Sequence, residues 1–91
     1  MEEIRKLLRE NRIEEAIGKL DAMLEQEPTS DEAFYLRGNA YRKLGDFQQA
    51  LNNYLSAMEL NPKSPARQAH DMLMEILDFY YNEMYNQYLD A

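Results

Sequence analysis

The sequence predicts an all-α fold of about five helices, arranged as antiparallel helix pairs. Apolar residues recur at helical spacing along most of its 91 residues, and the three Gly and three Pro mostly fall between these apolar segments. One group of positions also repeats at a fixed offset of 34 residues, since 50−16, 54−20 and 62−28 agree. These positions are Ala16, Leu20 and Pro28, followed by Ala50, Tyr54 and Pro62. A constant period of this length indicates an array of helical repeats.

The first two helices are predicted over about Glu2–Glu10 and Ile13–Gln26. Between them lies Asn11, 34 residues before Gly45, and we expect a left-handed backbone at both positions because Gly adopts it freely and Asn tolerates it. Pro28 ends the second helix, since the residue before a proline is pushed out of the α region. The expected core positions of these helices are Ile4, Leu7, Leu8, Ile13, Ala16, Ile17, Leu20 and Leu24.

The third and fourth helices are bounded by capping residues. Thr29 or Ser30 is expected to cap the third helix, which ends at Gly45. Asp46 is expected to cap the fourth, which ends before Pro62. Because these two helices should cross closely, small residues are expected at Gly38 and Ala50, and four aromatic side chains should fill the remaining space. Those four are Phe34, Tyr41, Phe47 and Tyr54.

The segment Asp31–Ser64 resembles the tetratricopeptide repeat in the order and spacing of its characteristic residues. The matching positions are Phe34, Gly38, Tyr41, Ala50, Tyr54 and Pro62, while Arg37 stands where the pattern has Leu. We expect the Arg37 aliphatic stem to cover the core and its guanidinium to reach water. The resemblance implies a right-handed superhelix of helix pairs. It also implies one domain over residues 1–91, with a truncated repeat at 4–30, a full repeat at 31–64 and a C-terminal cap with an aromatic tail at 65–91.

The fifth helix is predicted to open at Ser64 and Pro65, and it departs from the repeat pattern. Polar residues occupy one narrow stripe of this helix, and apolar residues cover a wide arc, which is more apolar surface than a capping helix needs. The tail beyond Phe79 is compatible with continued helix or with a strap that folds back. The sequence therefore suggests a partner or dimer surface formed by Tyr81, Met84, Tyr85 and Tyr88.

The resemblance also implies a concave groove lined by the first helix of each repeat. The family's contact positions fall on Glu32, Tyr35, Asn39, Arg42 and Lys43. Tyr35 is suited to stacking on an apolar side chain, Asn39 to bonding a peptide backbone, and Arg42 with Lys43 to meeting a carboxylate. The alternative reading is a solvated helix face that binds nothing tightly.

One narrower function of the family is disfavoured by the residues at its defining positions. Some members grip the carboxylates of heat-shock chaperone tails with a clamp of Lys, Asn and Arg residues from three successive repeats. Asn39 matches one clamp position, but Tyr35 stands where that clamp has Lys. In the next repeat's phase, Ala66 and His70 replace the final Lys and Arg. Acidic chaperone tails are therefore not the expected ligand.

Composition argues against catalysis, metals and cofactors. The chain has no Cys and a single His, and it carries no P-loop or GxGxxG segment. His70 precedes Asp71, but adjacent helical residues are expected to point apart, and the paired glutamates are expected to be solvated faces. The net charge of −7 disfavours nucleic acid and anionic membranes, and no apolar run is long enough for a membrane span or a signal peptide. These features favour a cytoplasmic location.

The sequence thus predicts a non-enzymatic protein–protein interaction module that needs no cofactor. Its partner is expected to be a peptide or a helix bound in the concave groove. The alternative is a structural protein that self-associates through the Met- and Tyr-rich C-terminal helix, with a homodimer as its simplest form. Neither reading identifies the partner.

Overall fold

A computed structural model describes the backbone of residues 1–89 and the side chains of residues 1–82. Within these bounds the chain forms five α-helices and no strand, so the predicted all-α class is confirmed. The helices are α1 (Glu2–Arg9), α2 (Ile13–Gln26), α3 (Asp31–Leu44), α4 (Phe47–Leu60) and α5 (Ala66–Leu89). Of the two alternatives for the tail, the continued helix is the one observed as far as Leu89.

The turns and caps follow from local sequence. Asn11 has φ 62° and Gly45 has φ 84°, so both turns use the left-handed backbone expected of these residue types. Ser30, not Thr29, caps α3: its side chain accepts a hydrogen bond of 3.2 Å from the Ala33 N–H. Asp46 caps α4 by accepting one of 3.2 Å from the Gln49 N–H. These bonds satisfy amide groups that have no partner inside the helix.

The helices pack mainly on their neighbours in the chain, and the α3–α4 pair is the most extensive contact. One hydrophobic cluster joins α1, α2 and α3 around Ala16 and Leu20, and a second joins α4 and α5 around Tyr54 and Leu73. Phe34 and Tyr35 of α3 pack against both clusters. The core is therefore continuous along the array through the central helix.

The α3 and α4 helices cross closely at Gly38. A Cβ atom added there would lie 2.6 Å from the Tyr54 ring and 3.2 Å from the Ala50 carbonyl oxygen. Tyr54 and Ala50 are fully buried, so the predicted need for small residues at this crossing is confirmed. Phe47 was wrongly expected in the core. It is 40% exposed because it is the first residue of α4 and lies at the outer end of the pair.

The Arg37 guanidinium also makes contacts to two other helices that the sequence did not suggest. Its Nε donates a 2.8 Å hydrogen bond to Oδ1 of Asn53, and an Nη lies 2.8 Å from Oδ1 of Asp21. The guanidinium carbon also lies 5.4 Å from the centre of the Phe34 ring. Because Asn53 is buried and belongs to α4, while Asp21 belongs to α2, this side chain joins three helices.

Among the described side chains of α5, those packed against the rest of the protein lie in its first half. Ala66 and Leu73 are buried on α4, and Ala69 and Leu77 are partly buried beside them. With 24 residues, α5 is about 36 Å long, whereas the 14-residue α4 is about 21 Å long. The α5 helix is therefore longer than the helix that it packs against. Among residues 66–82 of this helix, the exposed large apolar residues are Met72, Met74, Ile76, Phe79, Tyr80 and Tyr81.

Candidate binding groove

Three adjoining clefts form a groove across α1, α3 and α5. Their volumes are about 570, 280 and 220 Å³, and Tyr35 lines all three. The largest of these three clefts is lined, on α1 and α3, by Arg5, Leu8, Arg9, Tyr35, Leu36, Asn39, Arg42 and Lys43. The smallest cleft adds Pro65, Gln68, Ala69 and Met72 from the start of α5. Tyr35 is thus the central residue of one continuous surface.

All five groove residues suggested by the sequence lie along this surface. Tyr35, Asn39, Arg42 and Lys43 line the largest cleft, and Glu32 lines the cleft of about 280 Å³ beside Pro65. Tyr35, Asn39 and Arg42 are half-buried, whereas Glu32 and Lys43 are exposed. The α3 helix brings them together because their spacing of three and four residues places them on one side of it.

A hydrogen bond from the core fixes the orientation of Asn39. The buried Tyr54 hydroxyl of α4 donates to Oδ1 of Asn39, which leaves the Asn39 amide N–H groups to donate into the groove. The Tyr35 and Tyr54 rings lie beside each other, with centroids 6.2 Å apart. Burial raises the pKa of the Tyr54 phenol above its ordinary value, and the nearby Arg42 guanidinium partly opposes that rise.

The α1 side of the groove was not predicted. Arg5, Leu8 and Arg9 line the largest cleft, and the sequence interpretation placed contact positions only in the full repeat. A signal for them existed, because subtracting the 34-residue period from Asn39 and Arg42 gives Arg5 and Leu8. The α1 helix thus contributes to the groove together with the repeat at 31–64.

The groove's cleft of about 570 Å³ is cationic although the chain carries a net charge of −7. Its four charged side chains are all basic: Arg5, Arg9, Arg42 and Lys43. Arg5 is paired with Glu32, and Glu2 lies 3.7 Å from Arg5 and 4.0 Å from Arg9. Among the side chains of residues 1–82, no carboxylate lies within 4.0 Å of Arg42 or Lys43. Within the described residues, the charges of Arg42 and Lys43 are therefore not neutralised by an ion pair.

The other side chains considered for chemistry do not form a comparable site. Nδ1 of His70 lies 3.2 Å from Oδ1 of Asp71, so the expectation that these neighbours point apart was wrong. The contact is made at the helix surface, where the Asp71 carboxylate is exposed. In the part of the chain that the structure describes, no three potential metal-ligating side chains cluster, and no helix is long and apolar enough to cross a membrane.

Tyr81, the first residue of the suggested C-terminal partner surface, is 64% exposed. Its ring meets that of Tyr80 edge to face, with centroids 5.8 Å apart. The other three suggested residues, Met84, Tyr85 and Tyr88, lie outside the described side chains.

Two comparisons with proteins of known sequence or structure add to this picture. A curated relative, serine/threonine-protein phosphatase T of Trypanosoma brucei brucei (strain 927/4 GUTat10.1), is 41% identical over 54 residues. The match covers 59% of this chain and 11% of the phosphatase, so the chain spans about a tenth of that relative's length. The solution NMR structure of Bacteroides fragilis protein BF1650 is 57% identical, with a TM-score of 0.84. That match covers 94% of this chain and 88% of the solved one.

The family comparison bears on the central helix pair. Residues 31–64, which span α3, α4 and the turn after them, match the model of the tetratricopeptide repeat. Repeats of this family are generally non-catalytic and generally bind protein partners, which agrees with an all-helical array that presents a groove. The five-helix fold, the repeat match and the similarity to the solved structure agree with one another. The chain belongs to the tetratricopeptide repeat family.

Proposed function

We propose that this chain is a non-enzymatic protein–protein interaction module that binds a peptide or a partner helix in the groove across α1, α3 and α5. The observation that carries the proposal is the grouping of Tyr35, Asn39 and Arg42 around adjoining clefts. In this account residues 1–91 act as one domain, in which the shortened repeat at 4–30 and the cap at 65–91 complete the groove on either side of the repeat at 31–64.

Each central residue has a role that its surroundings support. Tyr35 offers a half-buried ring at the junction of the three clefts, which suits stacking on an apolar side chain. The Asn39 amide, held by Tyr54, can donate to a backbone carbonyl of the ligand. Arg42 and Lys43 can meet a carboxylate with charge-assisted hydrogen bonds. None of these roles needs a cofactor, a nucleic acid or a membrane.

Selection of ligands from a displayed peptide library, followed by titration of the full chain against a labelled selected peptide, tests this proposal. We expect Lys43→Glu and Tyr35→Ala each to weaken binding at least about tenfold, or about 1.4 kcal/mol. Tyr81→Ala is the matched aromatic control because Tyr81 is exposed outside the groove. Because Tyr35 also packs on the core, the thermal melt of the Tyr35→Ala variant is compared with that of the wild type. Lys43 is exposed, so its variant should not change the packing of the core. Equal effects of groove and control variants would contradict groove binding.

Self-association through α5 is a second candidate function, and one observation favours it. Phe79, Tyr80 and Tyr81 are each more than half exposed, and clustered aromatic side chains are characteristic of protein interfaces. A sedimentation experiment on the chain without ligand separates this candidate from groove binding, because groove binding alone requires no second copy.

A further inference from the structure

We propose that the ligand of the groove is a peptide segment that has an apolar residue and carries carboxylates on one side of that residue only. The carboxylates meet Arg42 and Lys43 at the C-terminal end of α3, and the apolar residue lies on Tyr35. The ligand residues on the other side lie beside Asp31 and Glu32, at the N-terminal end of α3, and carry no negative charge. This ligand chemistry rests on the proposed function, since it specifies what the groove binds.

The charges on the α3 wall of the groove change sign from one end of the helix to the other. Arg42 and Lys43 belong to its last turn, and both line the cleft of about 570 Å³. Asp31 and Glu32 belong to its first turn, and both line the cleft of about 280 Å³. Asp31 and Arg42 are 11 positions apart, which corresponds to roughly 16 Å along the helix axis. A segment lying along α3 therefore meets opposite charges at its two ends.

The cationic end of the groove attracts a carboxylate. Among the described side chains of residues 1–82, no carboxylate lies within 4.0 Å of Arg42 or Lys43. Arg9 of α1 lines the same cleft, and its ion pair with Glu2 is long, at 4.0 Å. Arg42 is half-buried and also lines the cleft of about 220 Å³. A ligand carboxylate here is partly shielded from water and has several cations nearby, which strengthens the attraction.

The opposite end of α3 repels a carboxylate. Arg5 is the basic residue that lines the cleft there, and it is already paired with Glu32 and lies 3.7 Å from Glu2. Oδ2 of Asp31 accepts a 3.0 Å hydrogen bond from the uncharged amide of Asn61, so this contact does not neutralise the Asp31 carboxylate. A ligand carboxylate at this end would face acidic side chains with no unpaired cation among the residues that line the cleft. A neutral or basic ligand residue avoids this repulsion.

The apolar position of the ligand lies between the two ends. Tyr35 lines all three clefts, and the cleft of about 220 Å³ joins it to Ala69 and Met72 of α5. Tyr35 precedes Arg42 by seven positions, or about 10 Å along α3, which an extended ligand spans with about three residues. It follows Glu32 by three positions, or about 4.5 Å, which one or two ligand residues span. These distances predict carboxylates about three or four positions to one side of the apolar residue and none within about two positions on the other.

This pattern does not require a free C-terminal carboxyl group. Tyr35, Ala66 and His70 stand at positions where the family's clamp for chain ends has basic residues. The cations that carry the present proposal lie instead at the end of α3 and on α1. They can meet the side-chain carboxylates of an internal segment, so a ligand with a blocked C-terminus should bind as well as one with a free C-terminus.

The first test uses three fluorescently labelled peptides of equal length with both termini blocked. The one-sided peptide carries two Asp residues, three and four positions to one side of a central Leu. The two-sided peptide has the same composition but one Asp on each side of the Leu, and the third peptide has Lys in place of both Asp residues. We expect the one-sided peptide to bind the full chain at least about tenfold more tightly than either of the others. Equal affinities, or no binding of the one-sided peptide at about 1 mM, would overturn the proposal.

The second test assigns the two ends of the groove with variants of the chain. Arg42→Gln combined with Lys43→Gln should weaken binding of the one-sided peptide at least about tenfold. Lys6→Gln is the matched control, because Lys6 is exposed on α1 and does not line the three clefts, and it should leave the affinity unchanged. Asp31→Asn combined with Glu32→Gln should strengthen binding of the two-sided peptide more than that of the one-sided peptide. Thermal melts check that the variants fold, and the exposed Lys43→Gln is also measured alone because it should not disturb packing.

Two results of the second test would overturn the proposal. Lys6→Gln weakening the one-sided peptide as much as the groove pair would show a general attraction between charges rather than a site. An equal effect of the Asp31 and Glu32 changes on both peptides would show that this end of α3 does not select against carboxylates.

The peptides selected from a displayed library separate this inference from the proposed function. If Tyr35→Ala weakens the selected peptides but they lack the one-sided acidic pattern, the groove is the binding surface and the ligand chemistry inferred here is wrong. If neither the selected peptides nor the one-sided peptide depends on Tyr35, groove binding itself is wrong. Selected peptides that depend on Tyr35 and carry carboxylates on one side of an apolar residue would support both.

Discussion

The buried Tyr54 hydroxyl donates a hydrogen bond to Oδ1 of Asn39, and this contact joins the core of the helix pair to the groove surface. The same Tyr54 ring fills the space over Gly38, where an added Cβ would lie 2.6 Å away. One residue therefore sets both the spacing of α3 and α4 and the orientation of the groove amide. Substitutions at Tyr54 or Gly38 should therefore change both the free energy of unfolding and the affinity for a ligand.

Gly38→Ala should destabilise the protein. The added methyl group overlaps the Tyr54 ring, and such overpacking costs about 1–3 kcal/mol, which exceeds the gain of about 0.5–1 kcal/mol from replacing a helical Gly. Gly18→Ala is the matched control, because an added Cβ there meets nothing within 4 Å, and it should stabilise α2. Denaturant midpoints of the two variants should shift in opposite directions. A shift of both in the stabilising direction would mean that the helices separate without cost.

Tyr54→Phe should alter the pH dependence of stability. Burial raises the Tyr54 pKa in the folded state, so the folded chain holds this proton more tightly than the unfolded chain does. The stabilisation from this proton is fully present below the unfolded pKa of roughly 10 and is lost as the pH rises through the raised folded value. Free energies of unfolding, measured for both chains from neutral to alkaline pH, should therefore converge above about pH 10. A constant difference would show that the Tyr54 phenol does not titrate as described.

Arg37→Leu should destabilise the protein although Leu is the residue that the family pattern has there. The change leaves Oδ1 of the buried Asn53 without its donor and removes the link to Asp21, which we expect to cost about 1–3 kcal/mol. Arg12→Ala removes the exposed ion pair with Glu15 and should cost less than about 1 kcal/mol. Urea unfolding of both variants provides the comparison. An Arg37→Leu variant as stable as wild type would mean that this bridge contributes nothing.

Deletion of residues 65–91 should leave the remainder largely unfolded. Ala66 and Leu73 of α5 cover the cluster around Tyr54 and Ala57, and a chain of fewer than three full repeats has little other core. Circular dichroism of the 1–64 fragment should show low helicity and no cooperative melt. A melt close to that of the full chain would show that the first four helices are stable alone.

The helix boundaries were predictable because their signals are local. Left-handed turns at Asn11 and Gly45 and a cap at Asp46 each depend on one residue and its immediate neighbours. The crossing at Gly38 was also predictable, because the family pattern with its 34-residue period indicates which distant positions meet.

The remaining features depend on contacts between distant residues. Arg37 pairs with Asp21 and Asn53, each 16 residues away, and nothing near Arg37 in the sequence identifies them. The cationic character of the groove was hidden by the net charge of −7, since Arg5 and Arg42 become neighbours only when α1 packs beside α3. A total charge describes the whole surface, whereas a ligand meets only the groove.

The account rests on the groove around Tyr35 as the binding surface, and amide chemical-shift mapping tests it most directly. The full chain, labelled with ¹⁵N, is titrated with a peptide selected from a displayed library, at a concentration where sedimentation shows it to be monomeric. We predict that the largest shifts fall on α1, on α3 around Tyr35 and Asn39, and on the first turns of α5. Shifts concentrated on the outer faces of α2 and α4, with the amides around Tyr35 unchanged, would contradict the account.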